Sequence, residues 1–394
     1  MSFAKDVSLS AIIAGFVSVM VGFTSAGVIV FQAAQALGAS PVEIGSWILA
    51  LGVGMGLTSI LLSWRYKMPV VTAWSTPGAA LLIPAAAGVS MAEGIGAFLV
   101  CAVLIAAVGF TGWFERVMNA IPLALASAML AGILLRFGLN VFVAMESQFV
   151  MTFAMFCVYL LMRRVAPRFT ILAALVVGVL IAGVQGLLQL DAVQWQLAQP
   201  VVTVPQFSVR AIVGIALPLF VVTMASQNVP GVATMRAFGY STPISSVIGW
   251  TGVATLVLAP FGAFAINLAA ITAAIAMGTE ANEDPDKRYV AAMAGGFFYI
   301  VVGVFGATMV GLFSALPEEL VFAIAGLALL GTIGKSLAIS LTNEKDREAA
   351  LVTFLVTASG MTLVSVGSAF WGIVAGALVS ASYRFAEAGS NADD

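Results

Sequence analysis

Apolar residues in this chain come in whole blocks rather than in the one-sided stripe of a soluble amphipathic helix, and a bilayer crossing needs about 20 of them in a row. Such blocks lie near 9–33, 43–64, 92–114, 120–143, 148–163, 169–188, 210–234, 243–264, 289–314, 319–340, 349–365 and 367–386. Two other segments, 69–88 and 265–279, are shorter or interrupted. The first contains VVTAWSTPGAALL (70–82), which opens on β-branched residues, passes through Trp74, Ser75, Thr76, Pro77 and Gly78, and only then turns to helix formers. Irregular backbone is tolerated at membrane depth only where protein or a water-filled cavity surrounds it. This segment is therefore expected inside a bundle and not against lipid.

Basic residues decide whether the two irregular segments cross. With the N-terminus in the cytoplasm and fourteen crossings, the inside links hold every Lys and Arg of the 16, from Lys5 to Arg384, except Arg136 and Arg210. Omitting both segments moves Arg116, Arg163, Arg164, Arg168 and Arg236 outside, against the cytoplasmic bias of basic loops. Internal similarity points the same way. SAGVIVFQAAQALGASP (25–41) resembles SQNVPGVATMRAFGYSTP (226–243), NAIPLALASAMLAG (119–132) resembles SALPEELVFAIAG (314–326), and WSTPGAALL (74–82) falls on LAAITAAIA (268–276). Two units of seven crossings, 1–190 and 208–386, follow, and because seven is odd they insert in opposite senses. The expected fold is thus an all-α integral membrane protein with 14 transmembrane segments in a 7+7 inverted repeat, the layout of many secondary transporters. Segments 3 and 10 are each expected to be a short strand, Val70–Ala73 and Phe264–Asn267, followed by a half-helix, the two half-helices meeting at mid-membrane.

Composition sharpens this picture. Hydrophobic residues make up 61% of the 394 and charged residues 9%, with mean hydropathy +1.10, where soluble domains carry about 25% charged residues. Polybasic runs are absent, so nucleic acid is not an expected partner. The chain has no His, and Cys101 and Cys157 both lie in apolar segments and are expected as buried free thiols. No metal ligands, cofactor motif or nucleophile–base set emerges, which argues against an enzyme. The acidic run EANEDPDK (280–287) reads as a solvated link.

Candidate binding residues gather around the two interruptions. Ser75 or Thr76 would cap a half-helix beginning at Pro77, a favoured place for proline. The matching half-helix would run from about Leu268 to Met277, so that Thr76–Gly78 and Leu268, Ala269, Ala270 and Ile271 offer free backbone N–H groups to an anion. Thr24 and Ser25 of the first span, Ser226, Gln227 and Asn228 before a Pro230–Gly231 break, and Asn267 and Thr272 add polar groups. A plain kink at Ser-Thr-Pro-Gly and simple interhelical glue at the amides are the bland alternatives. Trp74 either stacks on a flat aromatic substrate or fills the core. No Asp or Glu occurs between Ile44 and Met91 or between Ala211 and Thr279. A coupled proton would then ride on the substrate or pass through polar groups and water.

VVTAWSTPGAALL, VVTMASQNVPGVA and NLAAITAAI closely resemble stretches of the bacterial benzoate/proton symporter family, the benzoate membrane transport proteins, and the likeness spans essentially the whole chain. More distantly the layout is similar to that of nucleobase permeases and sulfate-type anion carriers. The resemblance implies a core domain (about 9–114 and 210–314) moving against a gate domain (about 119–190 and 319–386). It also implies import of an aromatic carboxylate such as benzoate with a proton, by alternating access across a bacterial inner membrane with both termini cytoplasmic. Uracil-type permeases place glutamates where this chain has Ser226 or Gln227 and Ile271, a departure that suits a substrate that is itself a carboxylate. A homodimer is expected by analogy with relatives on this scaffold. The rival readings are a nucleobase or inorganic-anion permease, a channel, and a membrane enzyme.

Overall fold

Long helices dominate the structure, a computed structural model, and two short strands interrupt them deep in the interior. It describes residues 6–114, 116, 122–189, 193, 195–241, 243–279, 281–363 and 366–390, and for some of these, Thr24, Ser25 and Ile271 included, the backbone alone. Lys5, Asn119 and Glu280, used in the sequence argument, lie outside the described residues.

The first half runs α1 (Leu9–Ala36), α2 (Pro41–Tyr66), β1 (Thr72–Trp74), α3 (Thr76–Ala85), α4 (Met91–Phe110), α5 (Leu123–Ser147), α6 (Phe149–Val165) and α7 (Thr170–Val184). The second runs α8 (Val209–Arg236), α9 (Ile244–Leu258), β2 (Ile266–Leu268), α10 (Ile271–Met277), α11 (Tyr289–Val304), a short helix Gly306–Ser314, α12 (Glu318–Ser340), α13 (Arg347–Ala358) and α14 (Ser368–Ser390). Among the described residues, seven helices are long and apolar enough to cross a membrane, or eight if the two parts of α1, inclined by 44° across Thr24 and Ser25, count as one span. Shorter apolar helices include α3 and α7.

Local sequence explains several starts. Ser40 and Glu43 form a capping box at α2, and Ser90 and Glu93 form another at α4, each satisfying orphan amides at a helix entrance. α8 does not break at Pro230–Gly231 as the sequence suggested. It runs on, with widened π turns at Ile212–Ala216 and Met224–Asn228, each two residues before a proline, Pro218 or Pro230. Proline cannot donate to the carbonyl four residues back and its ring crowds it. One widened turn absorbs that misfit without ending the helix.

The strands pair antiparallel, Thr72 opposite Leu268, Ala73 opposite Asn267 and Trp74 opposite Ile266. In each half the strand starts two residues later than expected and ends one residue later. Val70 is already committed, its N–H and carbonyl both bonded to the Ser63 hydroxyl at 3.0 Å. In the second half Gly262 (φ 104°) and Ala265 (φ 36°) turn the chain first, so pairing begins at Ile266. α10 accordingly starts at Ile271 and not at Leu268, which belongs to the strand. A second, unexpected pair of two-residue strands, β3 (Thr362–Leu363) and β4 (Val366–Gly367), departs from the all-α expectation between α13 and α14.

Packing partners cross between the halves: α2 lies along α11, α4 along α9 and α5 along α12. α6 packs on α7 and α13 on α14, while α3 packs on α8 and α10 on α1. Gly52 and Gly56 make the α2–α11 approach possible, since a Cβ at either would stand 2.6 or 2.5 Å from the Tyr299 or Gly296 carbonyl oxygen. Trp47, Phe98 and Phe264 fill the centre of the main core, with ring centroids 5.5–5.9 Å apart. A separate cluster joins Val141, Met151, Met155, Tyr159, Leu320 and Leu327 of α5, α6 and α12. Of the two thiols expected to be buried, Cys101 is buried but Cys157 is exposed, because α6 buries a face that includes Met151, Met155 and Tyr159 and leaves the opposite face outside.

Candidate functional site

The β1–β2 ribbon places the two interruptions side by side. Ser75 N–H donates to the Ala265 carbonyl (3.1 Å) and Ala269 N–H to the Val71 carbonyl (2.9 Å), so the ladder extends past both strands. A ribbon of two strands leaves its outer edges unpaired, a costly state in a dry interior. Helix hydroxyls fill that role here. Ser59 Oγ accepts from Thr72 N–H (3.0 Å), Ser63 serves Val70, and Thr255 Oγ1 of α9 accepts from Ile266 N–H (3.1 Å). The Thr72 side chain is fixed in turn on Thr58 Oγ1 (2.6 Å), Ser59 Oγ (2.9 Å) and the Met55 carbonyl (2.9 Å). Thr58, Ser59, Ser63 and Thr255 were not singled out from the sequence. Their visible signal is a set of hydroxyls four and five residues apart in otherwise apolar helices.

At the start of α3 the cap is Ser75, one of the two residues proposed for it, and its Oγ accepts from Gly78 N–H at 3.0 Å. Thr76 is the first helical residue and Pro77 the second, one position later than expected. Because Pro77 has no N–H and that of Gly78 is taken by the cap, the Thr76 N–H at this tip meets no acceptor among the described residues. At the other tip the Leu268 N–H is held by Asn228 Oδ1 (3.0 Å) and that of Ala269 by Val71. Ala270 at the start of α10 has no side-chain cap, and among the described residues no acceptor meets the Thr272 and Ala273 N–H groups. Ser18 of α1 donates to the Thr272 carbonyl at 2.9 Å.

The three polar residues on α8 have different environments. Asn228 is fully buried, with its Oδ1 on Leu268 and its Nδ2 on Met224 Sδ (3.2 Å). Ser226 and Gln227 are half-buried on the widened turn, and among the described residues their side chains have no hydrogen-bond partner. Asn267 is fully buried, and its Nδ2 donates to the Ala265 carbonyl (2.9 Å) while its Oδ1 meets no donor. Trp74 is 5% exposed and packs against Phe23 of α1, centroids 5.7 Å apart. Phe23 in turn stacks on Phe313. Thr24, Ser25 and Ile271 lie on elements that meet here, but their side chains are outside the described set.

Two residues not singled out as site candidates in the sequence bear on this cluster. Tyr299 of α11 brings its hydroxyl within 2.7 Å of where a Gly22 Cβ would be, beside Thr272 Cγ2. Nothing in an apolar helix marks such a tyrosine in advance. Arg288, which follows the acidic run, is 6% exposed and donates to the carbonyls of Met277 (2.9 Å), Asn282 (2.7 Å) and Glu283 (3.3 Å). It closes the C-terminal end of α10, where a cation suits the helix dipole. Tyr240 donates to the Pro285 carbonyl nearby (3.0 Å), and burial raises its pKa above the usual phenol value. The link expected to be solvated is exposed at Glu283, Pro285 and Asp286, and Asp284 pairs with Lys287 within it (3.1 Å).

The arrangement therefore combines a few free N–H donors, the Gln227 amide and Asn267 Oδ1 without partners among the described residues, and an aromatic wall, with Ser75, Asn228 and Asn267 at 0% exposure. Such a site is closed to solvent and suits a small molecule with one polar end and one flat apolar end.

A family model described as benzoate membrane transport protein, BenE, matches residues 5–382. The inner membrane protein YdcO of Escherichia coli K12 is 48% identical over 365 residues, 93% of each chain. A protein of Acinetobacter baylyi named benzoate membrane transport protein is 42% identical over 374 residues, 95% of each. Among solved structures, SLC26A9 aligns with TM-score 0.64 at 13% identity, over 97% of this chain and 67% of that one. The murine Slc26a9 anion transporter in its inward-facing state aligns with TM-score 0.58 at 14% identity, over 97% and 69%. At that identity the likeness speaks for the fold alone, which is a mostly helical membrane-protein fold shared with the SLC26 transporters. The chain belongs to the benzoate membrane transport protein family, membrane transporters and not enzymes.

Proposed function

We propose that the protein is a secondary carrier that imports an aromatic carboxylate, benzoate or a close analogue, together with a proton. The observation that carries this reading is the buried β1–β2 ribbon, which brings the starts of α3 and α10 together, with Asn267 on one face of the ribbon and Trp74 on the other, in a chain 42% identical to a protein named benzoate membrane transport protein. The substrate's carboxyl group docks on the free amides at the starts of α3 and α10, with Ser226, Gln227 and Asn267 as further polar contacts. Trp74, Ala269 and Ala270 surround the ring.

Fourteen crossings in a 7+7 inverted repeat, 1–190 and 208–386, account best for the basic residues and for the packing. Exchanging each first-half element with its counterpart turns the α2–α11 contact into α9–α4, α3–α8 into α10–α1, and α6–α7 into α13–α14. The core (about 9–114 and 210–314) carries the closed site, and the gate (about 119–190 and 319–386) includes the separate cluster of α5, α6 and α12. Movement of one against the other gives alternating access. The membrane is the bacterial inner membrane, as for the Escherichia coli relative, with both termini cytoplasmic. Lipid covers the apolar outer faces, and a homodimer fits the scaffold.

Proteoliposomes test the reading. Labelled benzoate should enter against its gradient when the outside is acidic, show counterflow, and be competed by unlabelled benzoate but not by uracil or sulfate. Competition by uracil or sulfate instead would move the protein to the nucleobase or inorganic-anion class, and absence of counterflow would favour a channel.

A further inference from the structure

The carrier reading, on which this inference rests, leaves the proton without a seat. The chain has no His, and no Asp or Glu between Ile44 and Met91, between Ala211 and Thr279, or within α1. The elements packed on β2 are β1, α2, α8 and α9. Their charged or titratable groups are Glu43, Arg65 and Tyr66 at the two ends of α2 and Arg210 and Arg236 at the two ends of α8, with none on β1 or α9. Beyond these, Tyr299 of α11 stands beside Thr272. No carboxylate or imidazole on these elements lies within the ribbon's surroundings to take up and release a proton.

Asn267 supplies a different kind of group. It is fully buried, its Nδ2 is held by the Ala265 carbonyl at 2.9 Å, and its Oδ1 has no donor. Turning the amide over would set Oδ1 against that carbonyl, two acceptors with no hydrogen between them. The Ala265 carbonyl is itself fixed, since it also accepts from Ser75 N–H at 3.1 Å. In the ribbon Asn267 stands opposite Ala73, and side chains alternate in direction along a strand. It therefore lies on the face opposite to Thr72, which is pinned on α2. An acceptor buried without a donor is costly and calls for a partner.

The Thr76 N–H at the start of α3 is a donor. A carboxylate is acceptor-only, so it satisfies that N–H and leaves Asn267 Oδ1 orphaned. A carboxylic acid satisfies both kinds, its carbonyl oxygen on an N–H and its O–H on Oδ1. We propose that the bound and carried species is the neutral aromatic carboxylic acid, with Asn267 Oδ1 accepting its O–H, so that the symported proton travels on the substrate. The carboxylate takes up one proton on the outer side and gives it up on the inner side. No side chain changes protonation, and no net charge crosses.

Binding to the purified protein in lipid nanodiscs, measured by calorimetry with benzoate and with ring-substituted benzoates of different acidity, tests this. The apparent Kd of the wild type should rise about tenfold per pH unit above the ligand's own pKa, near 4. At a fixed pH it should rise about tenfold for each unit by which a substituted benzoate is the stronger acid. Asn267→Ala should flatten both dependences, and Asn267→Ser, which keeps an acceptor, should restore them in part. A wild-type Kd that is flat with pH, or indifferent to ligand acidity, overturns the proposal and makes the carboxylate the bound species. Wild-type slopes in Asn267→Ala overturn the role of Asn267. Should neither variant fold, the wild-type series alone decides the species carried. Failure of every benzoate to bind at any pH overturns the carrier reading itself, and the inference with it.

Discussion

Asn228 and Gln227 are neighbours in sequence with separate tasks in the structure. From sequence they form one amide pair ahead of a Pro-Gly, and nothing in the letters distinguishes them. The widened turn rotates them apart, so that Asn228 Oδ1 holds the Leu268 N–H while Gln227 stays half-buried and unpartnered among the described residues. Asn228→Ala should therefore act on the fold, costing about 1–3 kcal/mol for an orphaned buried amide and lowering the melting temperature in detergent with and without benzoate. Gln227→Ala should leave melting of the free protein within about 0.5 kcal/mol, as changes away from structural contacts do. If the site is as proposed, it should still reduce benzoate uptake several-fold. A third residue sets the scale for caps. Ser75→Ala removes the acceptor of the Gly78 N–H and should cost about 1 kcal/mol, Ser75→Gly only a few tenths, read as paired melting curves.

The existence of the two irregular segments was legible at the level of elements, because β-branched residues, Pro and Gly have no place in a lipid-facing helix. Their boundaries were not. Strand pairing is set by partners 194 residues away in sequence (Ala73 to Asn267 by subtraction) and by hydroxyls on α2 and α9, and local propensity carries neither. The same holds for α10, shortened because Leu268 and Ala269 spend their amides on Asn228 and Val71. A ribbon held this way is sensitive to its supports. Thr72→Val keeps the shape of the side chain but removes the hydroxyl shared by Thr58, Ser59 and Met55. It should cost about 1–3 kcal/mol, measured by thermal melting, and benzoate binding should weaken with it. Arg288 supports α10 from the far end. Arg288→Met strips three carbonyls of their donor and should destabilise by about 2–4 kcal/mol, with Arg288→Lys recovering part of the loss.

The whole molecule poses the question of access, because Trp74, Ser75, Asn228 and Asn267 are all buried. The hydropathy blocks and basic residues are visible along the chain and suffice to propose the crossings, but no local pattern states which helices move together. Closure of the site implies that a ligand enters and leaves only when the surrounding helices shift. Ser226, half-buried on the α8 turn, is a place to watch this. Ser226→Cys would be read in a Cys157→Ser background, because Cys157 is exposed and would react, whereas Cys101 is buried and inert. Alternating access makes the new thiol reachable by a membrane-impermeant maleimide from one face at a time. Imposing a benzoate gradient should then raise the labelling rate from one side of the vesicle while lowering it from the other, and saturating benzoate should protect from both. A pore gives a different pattern, in which both rates respond alike. Equal labelling from the two faces, unchanged by substrate, would mean that the buried site does not alternate and that the core and gate do not move as proposed.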